Sequence, residues 1–358
     1  MHRIGVLTSG GDAPGMNAAV VSVARFAALY DMELVGIKRG YNGLLRKRKH
    51  IEEDMEILSL DTVLDIADQP GTYLRTARCV EFLNPDVRKF AVENLRAMEI
   101  EGLIVIGGDG SFNGAMALCN LGMPCIGIPG TIDNDLAYTE RSLGYDTAVN
   151  VCVNSVRMIR ATSRSHDRVA VVEVMGRNCG DIALRTAMCT GSEVLLVPEQ
   201  AFNIYQVADR IEKLMRNGDT RATVIVAEGV FKNPDTNKME PFDAYEYLSA
   251  RDKEWAKKHS PALALDAHTL AGILRHMVPG CDARSTVLGY IQRGSAPYAE
   301  DAAFAFEAGA MAVKLLKDGI QEQVIGVRNG KVFFMPIREA LSLKPKFDKN
   351  LYDLINSL

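Results

Sequence analysis

At 358 residues and 47% apolar content, the chain is long enough to build two domains, each with its own core. A net charge of −4 argues against general nucleic-acid binding, which needs a basic face, and no apolar run reaches the length of a membrane span. Seven cysteines without a CxxC pair and six histidines without ligand spacing argue against a zinc site and read as reduced thiols of a cytoplasmic protein.

The start of the chain leads straight into a strand, Ile4-Gly5-Val6-Leu7, with no signal-peptide core. Thr8-Ser9-Gly10-Gly11-Asp12-Ala13-Pro14-Gly15-Met16-Asn17 follows as a glycine turn, and then an apolar helix from Ala18 to Leu29. Glu33 to Ile37 reads as the next strand and Gly40-Tyr41-Asn42-Gly43 as a turn. Asp86 to Met98 reads as an amphipathic helix with Val87, Phe90, Ala91, Leu95 and Met98 on one face.

The organising stretch comes next. Leu103 to Ile106 is a buried strand that breaks into Gly107-Gly108-Asp109-Gly110-Ser111 and resumes as a helix over 114–119. Such a turn gathers free backbone N–H groups and the positive end of a helix, which suits phosphate. Glycines let the backbone approach without a Cβ in the way. Asp109 makes sense there as a ligand of Mg²⁺, which binds through one or two carboxylates plus phosphate oxygens. No Lys follows the last glycine, so the pattern is not a Walker loop.

A further strand, Cys125 to Ile128, delivers Pro129-Gly130-Thr131-Ile132-Asp133-Asn134-Asp135. In an extended backbone Asp133 and Asp135 point the same way, and two close acids poise one of them to accept a proton from a hydroxyl. A polar turn capped by Asx side chains is the plainer alternative. Strands alternating with helices imply parallel sheets, whose ligands bind beyond the carboxyl ends of the strands.

Asp146 to Ile159 reads as a helix, and residues 160–168 as a basic, hydroxyl-rich link carrying Arg160, Arg164 and Arg168. These arginines suit a phosphate ester, or else form a solvated face. Later strands end at Met175-Gly176-Arg177, at Pro198-Glu199 and at Glu228-Gly229. Residues 231–262 read as a polar surface insertion, and Ala302 to Leu316 as a helix stopped at Gly319. The fold expected is α/β, with two Rossmann-like domains and mostly parallel sheets. One spans 1–138, with part of 295–345 packing back on it; the other spans 139–294.

Five motifs, in order, resemble the ATP-dependent 6-phosphofructokinases of the bacterial phosphofructokinase family. They are Gly5 to Asn17, Gly107 to Ser111, Pro129 to Asp135, Met175-Gly176-Arg177 and Gly289-Tyr290-Ile291-Gln292-Arg293-Gly294. The resemblance implies transfer of the γ-phosphoryl group of ATP to the 1-hydroxyl of fructose 6-phosphate. It implies Asp133 as the base and Asp109 as the Mg²⁺ ligand, with Arg78, Thr131 and Arg177 around the transferring group. It places Gly11, Tyr41, Arg78, Cys79, Gly110, Ser111 and Gly114 at ATP, and Thr131, Asp133, Asp135, Met175, Gly176, Arg177, Glu228, Tyr290 and Arg293 at the sugar phosphate. Arg168 and Arg284 would come from a neighbouring subunit of a homotetramer.

Relatives that use pyrophosphate as donor typically carry Asp where Gly110 stands and Lys where Gly130 stands; both are Gly here, which leaves room for ATP. Tyr290 replaces a usual His, Gly294-Ser295 a Gly-Gly, Asp301-Ala302 an Asp-Arg, and Arg75 a Gly. At the family's effector site Arg25, Arg160, Gly191 and Glu193 match. Val21, Leu60, Asn217 and Asp219 replace cations, which predicts weak control by ADP or phosphoenolpyruvate. Three alternatives differ in class or donor: a pyrophosphate-dependent enzyme, an NAD or lipid kinase sharing the Gly-Gly-Asp-Gly turn, and a catalytically silent sugar-phosphate sensor.

Overall fold

In the computed structural model, residues 1–47, 50, 53–231, 266–344 and 347–357 are described. The 231–262 insertion lies, from residue 232 on, outside them. The strands are β1 (Arg3–Thr8), β2 (Glu33–Ile37), β3 (Met55–Leu58), β4 (Gly102–Gly107), β5 (Cys125–Pro129), β6 (Val169–Val174), β7 (Val194–Leu196), β8 (Thr223–Ala227), β9 (Ala283–Val287), β10 (Gln323–Arg328) and β11 (Lys331–Pro336). The helices are α1 (Met16–Leu29), α2 (Leu60–Val63), α3 (Pro85–Ala97), α4 (Asp109–Cys119), α5 (Tyr145–Arg164), α6 (Asp181–Thr190), α7 (Ile204–Arg216), α8 (Ala267–Met277), α9 (Ala299–Lys317), α10 (Ile337–Ser342) and α11 (Lys349–Ile355). The chain forms two units, Met1–Ala148 with Arg293–Lys346, and Val149–Gln292 with Phe347–Leu358, so the division falls inside α5.

The first unit holds a seven-stranded sheet in the order β11-β10-β5-β4-β1-β2-β3. Its five inner strands are parallel and its two edge strands antiparallel. β4 and β5 are apolar along their whole length and buried, and β1 is so from Ile4 to Leu7, as strands covered on both faces must be. Gly127 in β5 has a packing reason: a Cβ there would sit 2.6 Å from the ring of Phe112. Phe112, fully buried, thereby seats α4 on the sheet, a burial worth about 1.5–3 kcal/mol. On α1, Ser22 Oγ donates to the Phe306 carbonyl of α9 (2.6 Å), and Gly309 lets the two helices close to contact.

The second unit holds a four-stranded, all-parallel sheet in the order β7-β8-β6-β9. α7 buries Ile204, Val207, Ala208 and Ile211, one stripe at helical spacing, and is capped by Asn203. The open edge of β7 is covered by a side chain. Leu195 N–H donates to Asn356 Oδ1 (3.0 Å), and Asn356 Nδ2 donates back to the Leu195 carbonyl (3.1 Å). This fastens α11 to the unit and masks a strand edge.

Three local expectations are corrected. α4 begins at Asp109, not at 114, so the glycine turn is itself the first helical turn. α5 runs on to Arg164, so much of the expected 160–168 link is helix. On α3 the buried side is Ala91, Val92, Asn94 and Leu95, while Phe90 is exposed; Asn94 turns inward because its amide caps the Leu44 carbonyl (2.7 Å).

Candidate active site

In the first unit the carboxyl ends of β1, β4 and β5 lie side by side, since β4 pairs with β1 and with β5 in parallel register. Ser9 N–H donates to the Ile106 carbonyl (2.9 Å), and Gly130 N–H to the Gly107 carbonyl (3.0 Å). A Cβ at Gly108 would lie 3.8 Å from Thr131 Cβ. The Asp109 turn and the Thr131–Asp135 segment therefore open on the same end of one sheet.

Asp109 is the first residue of α4, and Gly108 its N-cap. The first N–H groups of a helix have no carbonyl partner within it, and the helix dipole adds positive potential there. Asp109 is exposed, with Asn113 Nδ2 at 3.5 Å from its Oδ2 and 3.0 Å from its carbonyl. No group of three or more His, Cys, Asp or Glu side chains able to hold a metal occurs among the described residues. A single acid at a phosphate turn fits Mg²⁺, which takes most of its ligands from water and phosphate. At Gly110 a Cβ would meet nothing within 4 Å, so the helix start is open to a ligand.

Tyr41 does not line open space. Its ring is buried, stacked on Phe82 with centroids 4.1 Å apart, and its hydroxyl donates to the Ser111 carbonyl (2.5 Å). Burial pushes its pKa well up, so it stays a neutral donor. Gly114 is Gly because a Cβ would meet the Tyr41 ring at 2.7 Å. Tyr41 thus supports the helix start from below. Ser111 is buried as well, its hydroxyl turned back toward Gly107. Gly10 takes φ of +93°, and Thr76 Oγ1 donates to its carbonyl (2.9 Å), which brings the segment carrying Arg78 and Cys79 against the β1 turn. Arg78 is exposed, and Cys79 is half-buried with its thiol pKa raised by burial.

The condition under which Asp133 and Asp135 would point the same way, an extended backbone, is not met. Asn134 adopts φ of +53°, which breaks the alternation. The turn is braced instead: Asp133 N–H donates to Thr131 Oγ1 (3.2 Å), Ser142 Oγ to the Thr131 carbonyl (2.6 Å), and Ser142 N–H to Asn134 Oδ1 (3.0 Å). Arg293 also belongs to the first unit. Its guanidinium donates to the Asp12 carbonyl beside Gly11.

In the second unit, Met175-Gly176-Arg177 leaves the carboxyl end of β6. Gly176 takes φ of +135° and Arg177 +56°, the latter a strain of about 1–3 kcal/mol for a side-chain-bearing residue. Glu228, following β8, holds it: Arg177 N–H donates to Glu228 Oε1 (3.0 Å). Tyr290 is 83% exposed.

Arg168 and Arg284 are not brought to that end. They stand at the amino ends of β6 and β9, on either side of Asp282. Seven residues separate Arg168 from Met175, about 23 Å at about 3.3 Å per residue. Arg160, expected on a basic face, is spent internally on the Thr190 and Gly191 carbonyls, Thr223 Oγ1 and Glu193.

Sequence reasoning missed three residues that hold these turns. Gln292 is fully buried; its Oε1 accepts from Met175 N–H (3.1 Å) and Cys152 Sγ (3.1 Å), and its Nε2 donates to the Gly289 carbonyl (3.1 Å). Ser142, described above, is also fully buried. Asp301 accepts from Gly144 N–H, Thr147 N–H and Thr147 Oγ1 at 2.6–2.7 Å, capping α5; burial pushes its pKa up to about 6.

The phosphofructokinase family model matches residues 3–316. An ATP-dependent 6-phosphofructokinase 1 of Clostridium perfringens is 41% identical over 360 residues, covering 100% of this chain and 99% of its own. An ATP-dependent 6-phosphofructokinase of Clostridioides difficile is 42% identical over 358 residues with the same coverage. Among solved structures, phosphofructokinase from Saccharomyces cerevisiae superposes with a TM-score of 0.80 at 29% identity, over 99% of this chain and 50% of the yeast chain.

Proposed function

This chain belongs to the phosphofructokinase family, and from that membership we propose that it transfers the γ-phosphoryl group of ATP to the 1-hydroxyl of fructose 6-phosphate, giving fructose 1,6-bisphosphate and ADP. The observation that carries the reading is the set of adjacent strand ends of β1, β4 and β5, which places a glycine turn, a helix start bearing one acid, and the Thr131–Asp135 turn on one side of one sheet. Phosphoryl transfer needs a phosphate cradle, neutralising charge and a group to orient the acceptor hydroxyl.

The roles assigned are those the family resemblance implies for these residues. The amide groups at Gly11 and at the start of α4, with Gly110, receive the ATP phosphates; Ser111 and Gly114 line the ATP site in the same turns, while Tyr41 fixes that helix start and Arg78 and Cys79 border it. Asp109 would hold Mg²⁺, which when bound supplies positive charge to the β- and γ-phosphates. Asp133 takes the proton from the 1-hydroxyl, and Thr131 and Arg78 steady the phosphoryl group in flight. Asp135 lies on the same turn. Met175, Gly176, Arg177, Glu228, Tyr290 and Arg293 bind fructose 6-phosphate, with Arg177 cationic toward the developing charge. Arg168 and Arg284, at the far end of their sheet from Arg177, serve the site of a neighbouring subunit in a homotetramer. The cytoplasm is the place of action this reading assigns, in keeping with seven cysteines that form no disulfide.

ATP is favoured over pyrophosphate by two glycines. Gly110 is open, and at Gly130 there is no lysine to reach a pyrophosphate directly; a Cβ there would press on Met16 Cε at 2.8 Å and Ile106 Cγ2 at 3.0 Å. A coupled assay with each donor tests this: ATP supports turnover and pyrophosphate does not. Turnover with pyrophosphate alone, or with neither, refutes it. Asp133→Ser should lower kcat by about 10³-fold while fructose 6-phosphate binding stays within a few-fold; near-normal turnover removes Asp133 as the base.

A further inference from the structure

Asp282 stands at the start of β9, across from Arg168 at the start of β6. Val169 pairs with Ala283, and Val169 N–H donates to the Asp282 carbonyl (3.2 Å). Asp282 is the residue just before β9 and Arg284 is the second residue of that strand. Arg168 Nε donates to Asp282 Oδ2 (2.8 Å). Arg284 Nε lies 2.8 Å from Oδ1, and its Nη2 3.4 Å from Oδ2. Both arginines meet the carboxylate chiefly through Nε, which leaves Arg168 Nη1 and Nη2 and Arg284 Nη1 for a second anion. The two guanidiniums, at 35% and 59% side-chain exposure, remain open to solvent. The hydrogen bond from Arg168 and then that from Arg284 hold the Asp282 carboxyl below its ordinary range, so it is charged at neutral pH.

Two guanidiniums set this close repel each other, and each flexible side chain would otherwise sample many rotamers. A shared carboxylate removes both penalties before any ligand arrives. The triad keeps one net positive charge and a planar set of donors, which suits a phosphate monoester dianion.

We propose that Asp282 is a positioning residue: it clamps Arg168 and Arg284 side by side as one two-arginine subsite for the 6-phosphate of fructose 6-phosphate. The assignment rests on the phosphofructokinase reading above. Two physical effects of opposite sign make it decisive. If charge attraction alone governed, neutralising Asp282 would tighten phosphate binding, since the pair would become doubly positive. If preorganisation governs, the same change weakens it.

The test is the near-isosteric Asp282→Asn in the full-length protein, read by steady-state kinetics and by calorimetric binding of fructose 6-phosphate. The expected result is a rise of about tenfold in both KM and Kd for fructose 6-phosphate, with kcat within about twofold and KM for ATP unchanged. Asp282→Glu, which keeps the charge, should recover most of the loss. On an Arg168→Ala background Asp282→Asn should raise KM by clearly less than it does in the wild type, because one of its two partners is gone. A KM or Kd that is unchanged or lower in Asp282→Asn overturns the proposal, as does a loss of equal size on the Arg168→Ala background. Should Asp282→Asn fail to fold, the comparison of Asp282→Glu with Arg168→Ala decides: binding as weak with Glu as with Ala at 168 also overturns it. Wild-type protein that binds fructose 6-phosphate without phosphorylating it would sink the kinase reading and leave the subsite standing. Wild-type turnover with unaffected binding in Asp282→Asn would do the reverse, and no binding by wild type would sink both.

Discussion

Gly110→Asp separates the phosphate reading of the α4 turn from a purely architectural one. Position 110 is the second residue of α4, and a Cβ there meets nothing within 4 Å, so the substitution disturbs no packing. An acid in the first turn of a helix is favourable by about 0.3–1 kcal/mol. On stability grounds the variant should therefore unfold at the same temperature as wild type or slightly above it. On the functional reading the same carboxylate stands where the nucleotide phosphates are received. At about 5 Å from one phosphate charge, with an effective dielectric of about 20, the repulsion is about 3 kcal/mol. That corresponds to roughly a two-hundredfold loss in kcat/KM for ATP. The assay is steady-state kinetics with ATP varied at saturating fructose 6-phosphate, beside a thermal melt. Gly110→Asn, of the same size without the charge, should keep most of the activity. A folded Gly110→Asp protein that uses ATP as well as wild type refutes the placement of phosphate at this helix start.

Two further predictions concern the supports of the site. Asp301 is pushed from the ordinary 3.8 up to about 6 by burial, against the opposing pull of its bonds to Thr147 and Gly144. A carboxyl raised on folding contributes stability that is full below about pH 4 and lost as pH rises through about 6. The shift corresponds to about 3 kcal/mol at about 1.36 kcal/mol per pH unit. Urea unfolding of wild type and Asp301→Asn from pH 4 to pH 7 should show the difference between them shrinking by that amount; parallel profiles contradict it. Gly114→Ala should cost about 1–3 kcal/mol by overpacking, because the added methyl meets the Tyr41 ring at 2.7 Å and dislodges its bond to Ser111. A thermal midpoint and an ATP KM both unchanged would show that Tyr41 does not brace the helix start.

What could be read from the sequence was the part written in strong local signals. Apolar runs ending in glycine clusters gave β1, β4 and β5 and the side of the sheet on which their turns open, because a strand buried on both faces has a continuous apolar signature. Helix starts were less legible. Asp109 and Gly110 carry poor helix propensity, yet they are the first turn of α4, because Gly108 caps it and Phe112 pulls it onto the sheet. The reach of α5 was hidden by Arg160, which looks like a surface cation but is half-buried against Glu193 and the end of α6. Asp133 and Asp135 would point the same way only in an extended backbone. Asn134 instead turns left-handed, a conformation Asn tolerates, with Ser142 eight residues on holding it there. No spacing in the chain announces that Ser142, Gln292 or Asp301 is a brace, since each acts on backbone groups distant in sequence.

The two ends of the second sheet set a geometric condition on any reading of this protein. Arg177 and Glu228 lie at the carboxyl ends of β6 and β8, and Arg168, Asp282 and Arg284 at the amino ends of β6 and β9. A strand the length of β6 holds these groups about 20 Å apart, beyond the reach of any side chain, and its parallel neighbours keep it straight. One molecule of fructose 6-phosphate cannot touch both sets in one subunit. If both sets bind it, a second copy of the chain supplies one of them, and activity depends on assembly. Mixing inactive Asp133→Ser subunits with weakly binding Arg168→Ala subunits, after dissociation and reassembly, should then regenerate sites with wild-type affinity, since some sites draw Asp133 and Arg168 from different parents. Mixtures that only average the two parents would place both sets in separate roles.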